Sequence, residues 1–115
     1  MGIELLKKSG VKVTVISSEV NPVVARRCEK LGINVYHGIT NKAAILSAYL
    51  NENNINPDET VYIGNDVNDI PCFPLVRCAV VPADANPKAK ALADIILSCS
   101  GGVGAIRELC EMILG

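Results

Sequence analysis

Thr60-Val61-Tyr62-Ile63-Gly64-Asn65-Asp66-Val67-Asn68-Asp69 is the stretch on which the reading of this chain turns. Its first four residues are β-branched or aromatic, the composition of a buried strand. The next six put two carboxylates and two amides at that strand's carboxyl end, which is where open α/β sheets bind ligands. Oxygen donors suit Mg²⁺, which takes one or two carboxylates and completes its shell with water and phosphate. Asn65, Asp66 and Asp69 are therefore candidate metal residues. Gly, Asn and Asp are also ordinary turn formers, and Asp or Asn often caps the following helix, so a turn-and-cap reading stands beside the functional one.

Outward from this loop, apolar β-branched runs alternate with helical spacing. Val11 to Ile16 reads as a strand, followed by a helix from Pro22 to Leu31 with Asn21 as its N-cap and Gly32 at its end. Ile33 to Tyr36 is a second strand, Lys42 to Leu50 a helix, and Thr60 to Ile63 the third strand. The series continues with a short helix near Ile70 to Val76, a strand from Ala79 to Val81 and a helix from Pro87 to Ala93. A fifth strand from Asp94 to Leu97 and a closing helix from Gly104 to Leu114 complete it, while Gly2 to Ser9 reads as an opening helix. Strict alternation predicts one α/β domain over residues 1–115, a three-layer Rossmann-like parallel sheet with right-handed crossovers.

Composition narrows the function. A 115-residue chain that is 50% hydrophobic can bury a modest core. A formal charge of -1 offers no general attraction to nucleic acid or to anionic lipid, and three Tyr, one Phe and no Trp leave few platforms for base stacking. No run approaches the roughly 18 apolar residues of a membrane helix. Five cysteines, Cys28, Cys72, Cys78, Cys99 and Cys110, have neither the even count of a disulfide framework nor the C-x-x-C of a zinc site. They read mostly as small buried residues in a reducing cytoplasm.

The topology collects the chemistry on one edge. Ser17 and Ser18 follow the first strand and Asn65 to Asp69 the third, so both face one crevice. Lys42 begins a helix behind Gly38-Ile39-Thr40-Asn41, and a helix entrance suits an anion. Hydroxyl, lysine and carboxylate-held metal are what phosphoryl transfer needs to offset charge on the non-bridging oxygens. Each also has a plain reading: a strand-end hydroxyl, a solvated lysine. His37 sits just past the second strand near the crevice, where it reads as a plain loop residue or, alternatively, a substrate contact. Gly101, Gly102 and Gly104 precede the last helix and offer a turn that could cradle an anion.

Val13-Thr14-Val15-Ile16-Ser17, then Lys42, then Gly64 to Asp69 resemble motifs two, three and four of the haloacid dehalogenase superfamily of phosphatases. More narrowly, residues 24–33, Val81-Pro82-Ala83-Asp84-Ala85-Asn86-Pro87 and Gly101-Gly102-Val103-Gly104-Ala105-Ile106-Arg107-Glu108 resemble the 3-deoxy-D-manno-octulosonate 8-phosphate phosphatase branch. That branch includes the phosphatase-like domain attached to many acylneuraminate cytidylyltransferases, the enzymes that make CMP-sialic acids. The resemblance implies that Ser17 binds the transferring phosphoryl group, that Lys42 neutralises its charge, and that Asp66 and Asp69 serve or support Mg²⁺. It puts Ser18 and Arg27 at substrate-binding positions, implies a sugar-acid phosphate as substrate, and implies a homo-oligomer, a tetramer in that branch.

The departures from the family pattern matter as much. Asn65 stands where the family usually has Asp, a poorer magnesium ligand, and Ser18-Glu19 replaces a common Gly-Arg. Both favour the cytidylyltransferase-attached domain, without hydrolytic activity in these residues, over a free Mg²⁺-dependent phosphatase; a flavodoxin-like or receiver-like binding module is the third reading. The family's nucleophile is the first Asp of an Asp-x-Asp motif on an earlier strand, and none occurs in these 115 residues. The resemblance thus implies a member shortened at its N-terminus, with the nucleophile-bearing strand missing from the centre of the sheet.

Overall fold

A computed structural model describes residues 8–16, 26, 29–30, 32–101 and 103–114. Among these residues there are five short strands: β1 (Thr14–Ile16), β2 (Asn34–Tyr36), β3 (Val61–Ile63), β4 (Cys78–Val81) and β5 (Ile95–Ile96). They alternate with α1 (Lys42–Glu52), α2 (Pro87–Leu92) and α3 (Val103–Leu114). Every expected strand is found, each trimmed at one or both ends except β4, which gains Cys78. The opening helix and most of the helix expected from Pro22 to Leu31, Asn21 included, lie outside the described residues. Within that span Arg26, Glu29 and Lys30 are helical. Gly32 ends the segment as expected, at φ +67° with its amide donating to Glu29 O at 3.1 Å, a left-handed position that glycine takes without steric cost.

One expected helix takes another form. Val67–Leu75 is a 3₁₀ helix that contains Pro71 and Pro74. Two prolines in nine residues remove amide donors and obstruct an α-helical ladder, so the segment winds in the tighter form.

All ladders are parallel, but they form two sheets. Thr14–Ile16 pairs with Asn34–Tyr36 in one, and β3, β4 and β5 lie side by side in the other. The single sheet expected from the alternation is thus divided between β1 and β3.

The core sits on β4 and shows why three layers form. Ala79 and Val81 point to one face and pack with Phe73, Ala85 and Ala89, while Val80 points to the other and packs with Leu97 and Ala105 of α3. Ala79, Val80 and Val81 are at most 1% exposed. Burying a valine side chain contributes roughly 1.5–3 kcal/mol, so a strand covered on both sides anchors the domain. A third cluster, Leu46 and Leu50 of α1 with Cys72, ties that helix to the 3₁₀ segment and touches Ile16 and Tyr62.

Cysteine usage agrees in part with expectation. Among the described residues Cys72 and Cys110 are buried, Cys78 is half-buried, Cys99 is exposed and all four are free thiols. No described helix is long and apolar enough to cross a membrane.

Candidate functional site

Asn41 fixes where α1 starts, because its side-chain oxygen accepts the Ala44 amide at 3.1 Å. Lys42 is then the first helical residue and turns inward, 9% exposed. Its Nζ donates to Asp69 Oδ1 at 3.0 Å, across 27 positions of sequence. Asp69 is 2% exposed.

Four donors converge on that carboxylate. Lys42 Nζ and the Tyr62 hydroxyl, the latter at 2.5 Å, both donate to Oδ1. The amides of Asn65 and Asp66 donate to Oδ2 at 3.0 and 3.1 Å. Burial by itself would push the Asp69 carboxyl up. Hydrogen bonds from Tyr62, Lys42 and the Asp66 amide outweigh it and hold the group below the ordinary aspartate range, so Asp69 is an anion at neutral pH. Gly64 makes the arrangement fit: a Cβ there would lie 2.5 Å from both Cβ and Cγ of Asp69. Only hydrogen can occupy that space.

Asp66 caps the 3₁₀ helix. Its Oδ1 accepts the Val67 amide at 2.6 Å, and it forms a reciprocal capping box with Asp69. The loop therefore satisfies the turn-and-cap reading, while Asp69 anchors a buried lysine as well.

The fit to a cation follows from this donor set. A carboxylate offers about four lone-pair sites, and all of those on Asp69 are engaged. Asp69, expected as a metal residue, is instead a counter-ion and loop anchor. That leaves the outward part of the exposed Asp66 carboxylate and the neutral amide of exposed Asn65. No group of three metal-binding side chains occurs among the described residues. One partly engaged carboxylate and one amide do not complete a divalent-cation site by themselves.

An open cleft of about 460 Å³ lies beside this network, walled by Ile16 at the end of β1, Lys42, Gly64 and Asp66, with Gly101 and Ala105 across from them. Lys42 and the acidic loop are thus brought together. Ser17, Ser18 and Arg27 lie outside the described residues, although Ile16, the neighbour of Ser17, lines the cleft. His37 follows β2, half-buried, with Nδ1 lacking a hydrogen-bond partner among the described residues.

The glycine turn is held by the protein's own carboxylates. Glu108 accepts the Ser98 and Cys99 amides at 3.0 and 2.8 Å, and Asp84 accepts the Gly101 amide at 2.6 Å. Those three amides are therefore engaged internally, which weakens the anion-cradle reading. The roles of Tyr62, Asp84 and Glu108 were not foreseen from sequence. A signal existed for Tyr62, since a tyrosine in a buried strand needs a partner for its hydroxyl.

The family model for haloacid dehalogenase-like hydrolases matches residues 3–106. The chain belongs to this family. Among individual proteins, it is 35% identical over 114 residues to the 3-deoxy-D-manno-octulosonate 8-phosphate phosphatase KdsC of Escherichia coli K12, covering 98% of this chain and 61% of that one. The chain thus spans about three fifths of the curated relatives it matches. A solved Streptomyces avermitilis protein assigned to the same hydrolase family is 46% identical, with a TM-score of 0.92 over 99% of this chain and 70% of that one. The Moraxella catarrhalis 3-deoxy-D-manno-octulosonate 8-phosphate phosphatase, solved with magnesium, phosphate and the sugar acid, is 30% identical, with a TM-score of 0.93 over 98% of this chain and 66% of that one.

Proposed function

We propose that this chain is the phosphate-holding part of a sugar-acid phosphatase of the 3-deoxy-D-manno-octulosonate 8-phosphate phosphatase type. The observation that carries this reading is the ammonium of Lys42, fixed on Asp69 at the carboxyl edge of the sheet and lining an open cleft. A cation held there offsets the charge of phosphoryl oxygens without needing to reorganise, which is what a largely electrostatic catalyst of phosphoryl transfer requires. Two of the three relatives named above are phosphatases, which favours this reading over a cytidylyltransferase-attached domain; Asn65 in place of the family's leading aspartate and Ser18-Glu19 in place of its Gly-Arg stand on the other side.

The division of the sheet supports the same reading. Val15 and Ile16 of β1 and Ile63 of β3 line one cleft, yet the two strands share no ladder. In this reading a strand bearing the family's Asp-x-Asp lies between them, supplied from outside these 115 residues, and brings the nucleophile to Lys42. Mg²⁺ is part of the proposal only with that strand's carboxylates added to Asp66.

Calorimetric titration with 3-deoxy-D-manno-octulosonate 8-phosphate tests the reading. The chain should bind the compound, Lys42→Ala should weaken binding by about tenfold or more, the loss of one charge-assisted contact, and no phosphate should be released. Equal binding by both proteins, or steady Mg²⁺-dependent turnover by the pure chain, would overturn it.

A further inference from the structure

Lys42 is not held by Asp69 alone. The Tyr62 hydroxyl donates to the same oxygen, Oδ1, that accepts Lys42 Nζ, while Oδ2 is filled by the Asn65 and Asp66 amides. An ionised carboxylate oxygen presents two acceptor directions, so on Oδ1 the phenol takes one and leaves one to the ammonium. The two donors approach from different sides. Lys42 and Asp69 line the cleft, whereas Tyr62 does not: its ring lies behind them, 6.2 Å from the ring of Phe73 and packed against the clusters on both sides of the 3₁₀ segment.

We propose that Tyr62 is a positioning residue, its hydroxyl occupying the inner acceptor direction of Asp69 Oδ1 and so keeping Lys42 Nζ at the cleft wall with its remaining N–H bonds directed to a phosphoryl oxygen. The inference rests on the phosphate-holding reading of the cleft. Without the hydroxyl, Asp69 loses one of four donors and is free to turn, and the ammonium can follow it away from the cleft. Burial, then the hydrogen bond to Asp69, pushes the Tyr62 phenol far above its ordinary value, so it remains a donor throughout the working pH range. If the hydroxyl only satisfied itself in the core, its removal would change stability and leave Lys42 where it is.

Tyr62→Phe keeps the ring on Phe73 and removes only the hydroxyl, and two measurements on the 115-residue chain read its effect. The first is the affinity for inorganic phosphate in a cycle with Lys42→Ala. Tyr62→Phe should weaken binding about 3- to 10-fold in the wild-type background and change nothing once Lys42 is gone. The second is the ¹H–¹⁵N resonance of the Lys42 ammonium without ligand, which Tyr62→Phe should displace and broaden. An unmoved resonance with unchanged affinity overturns the inference, as does an equal loss of affinity in both backgrounds. A displaced resonance in a chain that binds no phosphate upholds the control of Lys42 by Tyr62 and sinks the phosphate reading. If Tyr62→Phe does not fold, 3-fluorotyrosine at position 62, which keeps the hydroxyl and donates more strongly, should still shift the Lys42 resonance; no shift overturns the proposal.

Discussion

A single carboxylate organises the site. Asp69 gathers a lysine from α1, a hydroxyl from β3 and two amides of its own loop, and Gly64 exists to leave it room. Breaking a buried ion pair by removing one partner strands the other charge and costs about 3–5 kcal/mol. Lys42→Met, which keeps the stem and removes the charge, should lower the unfolding free energy by that amount in urea titrations. The pH dependence has a defined sign. The folded Asp69 carboxyl lies below its unfolded value, so its contribution is fully present above the ordinary aspartate value of about 4 and is lost as pH falls through the lowered folded value. Lys42→Met removes one of the causes of that depression, so its acid unfolding should begin at higher pH than the wild type's. A coincident acid limb in the two proteins would mean that the pair does not control Asp69. The loop was legible as chemically loaded because its residue types and position were visible. That Asp69 faces inward was not, because its partners Lys42 and Tyr62 arrive from elsewhere in the fold.

At the scale of elements, what the sequence displayed was periodicity and punctuation. Asn41 and Gly32 sit at helix boundaries because a capping oxygen and a left-handed glycine are local requirements, and local requirements can be read locally. The 3₁₀ form of Val67–Leu75 was available in Pro71 and Pro74. Strand ends were less legible, since a strand stops where its ladder partner stops, as with β1, which pairs only from Thr14 to Ile16. Least legible was the clamp of α3 on the preceding turn. Glu108 sits in the second turn of that helix and reaches back to the Ser98 and Cys99 amides, just ahead of the glycine turn. Those hydrogen bonds hold its carboxyl below the ordinary range, the Ser98 amide contributing most. Glu108→Ala should therefore speed amide exchange at Ser98 and Cys99, while Gly101, held by Asp84, and β4 keep their protection. If the Ser98 and Cys99 amides keep wild-type exchange rates, the turn is held by something else.

At the scale of the molecule, the described residues form two parallel ladders beside a cleft, and stability should be uneven for that reason. Val80 and Val81 at the centre of β3–β4–β5 are covered by helices on both faces, whereas every residue of β1 is only half-buried. Among the described residues the β1–β2 ladder joins the rest through α1 and the contact of Ile16 with the Leu46 cluster, with no hydrogen-bonded strand between the sheets. Side-chain contacts without a shared ladder are a weak basis for cooperative unfolding across the cleft, so β1 and β2 should open as a unit of lower free energy. Native-state amide exchange reads this directly. Amides of Val15, Val35 and Tyr36 should exchange through a partial opening with little denaturant dependence, while those of Ala79 to Val81 should require global unfolding. A strand added between β1 and β3 would bridge the two ladders and raise the first group to the level of the second. Equal protection in the unaided chain would mean instead that packing through α1 suffices to make the two sheets one cooperative body.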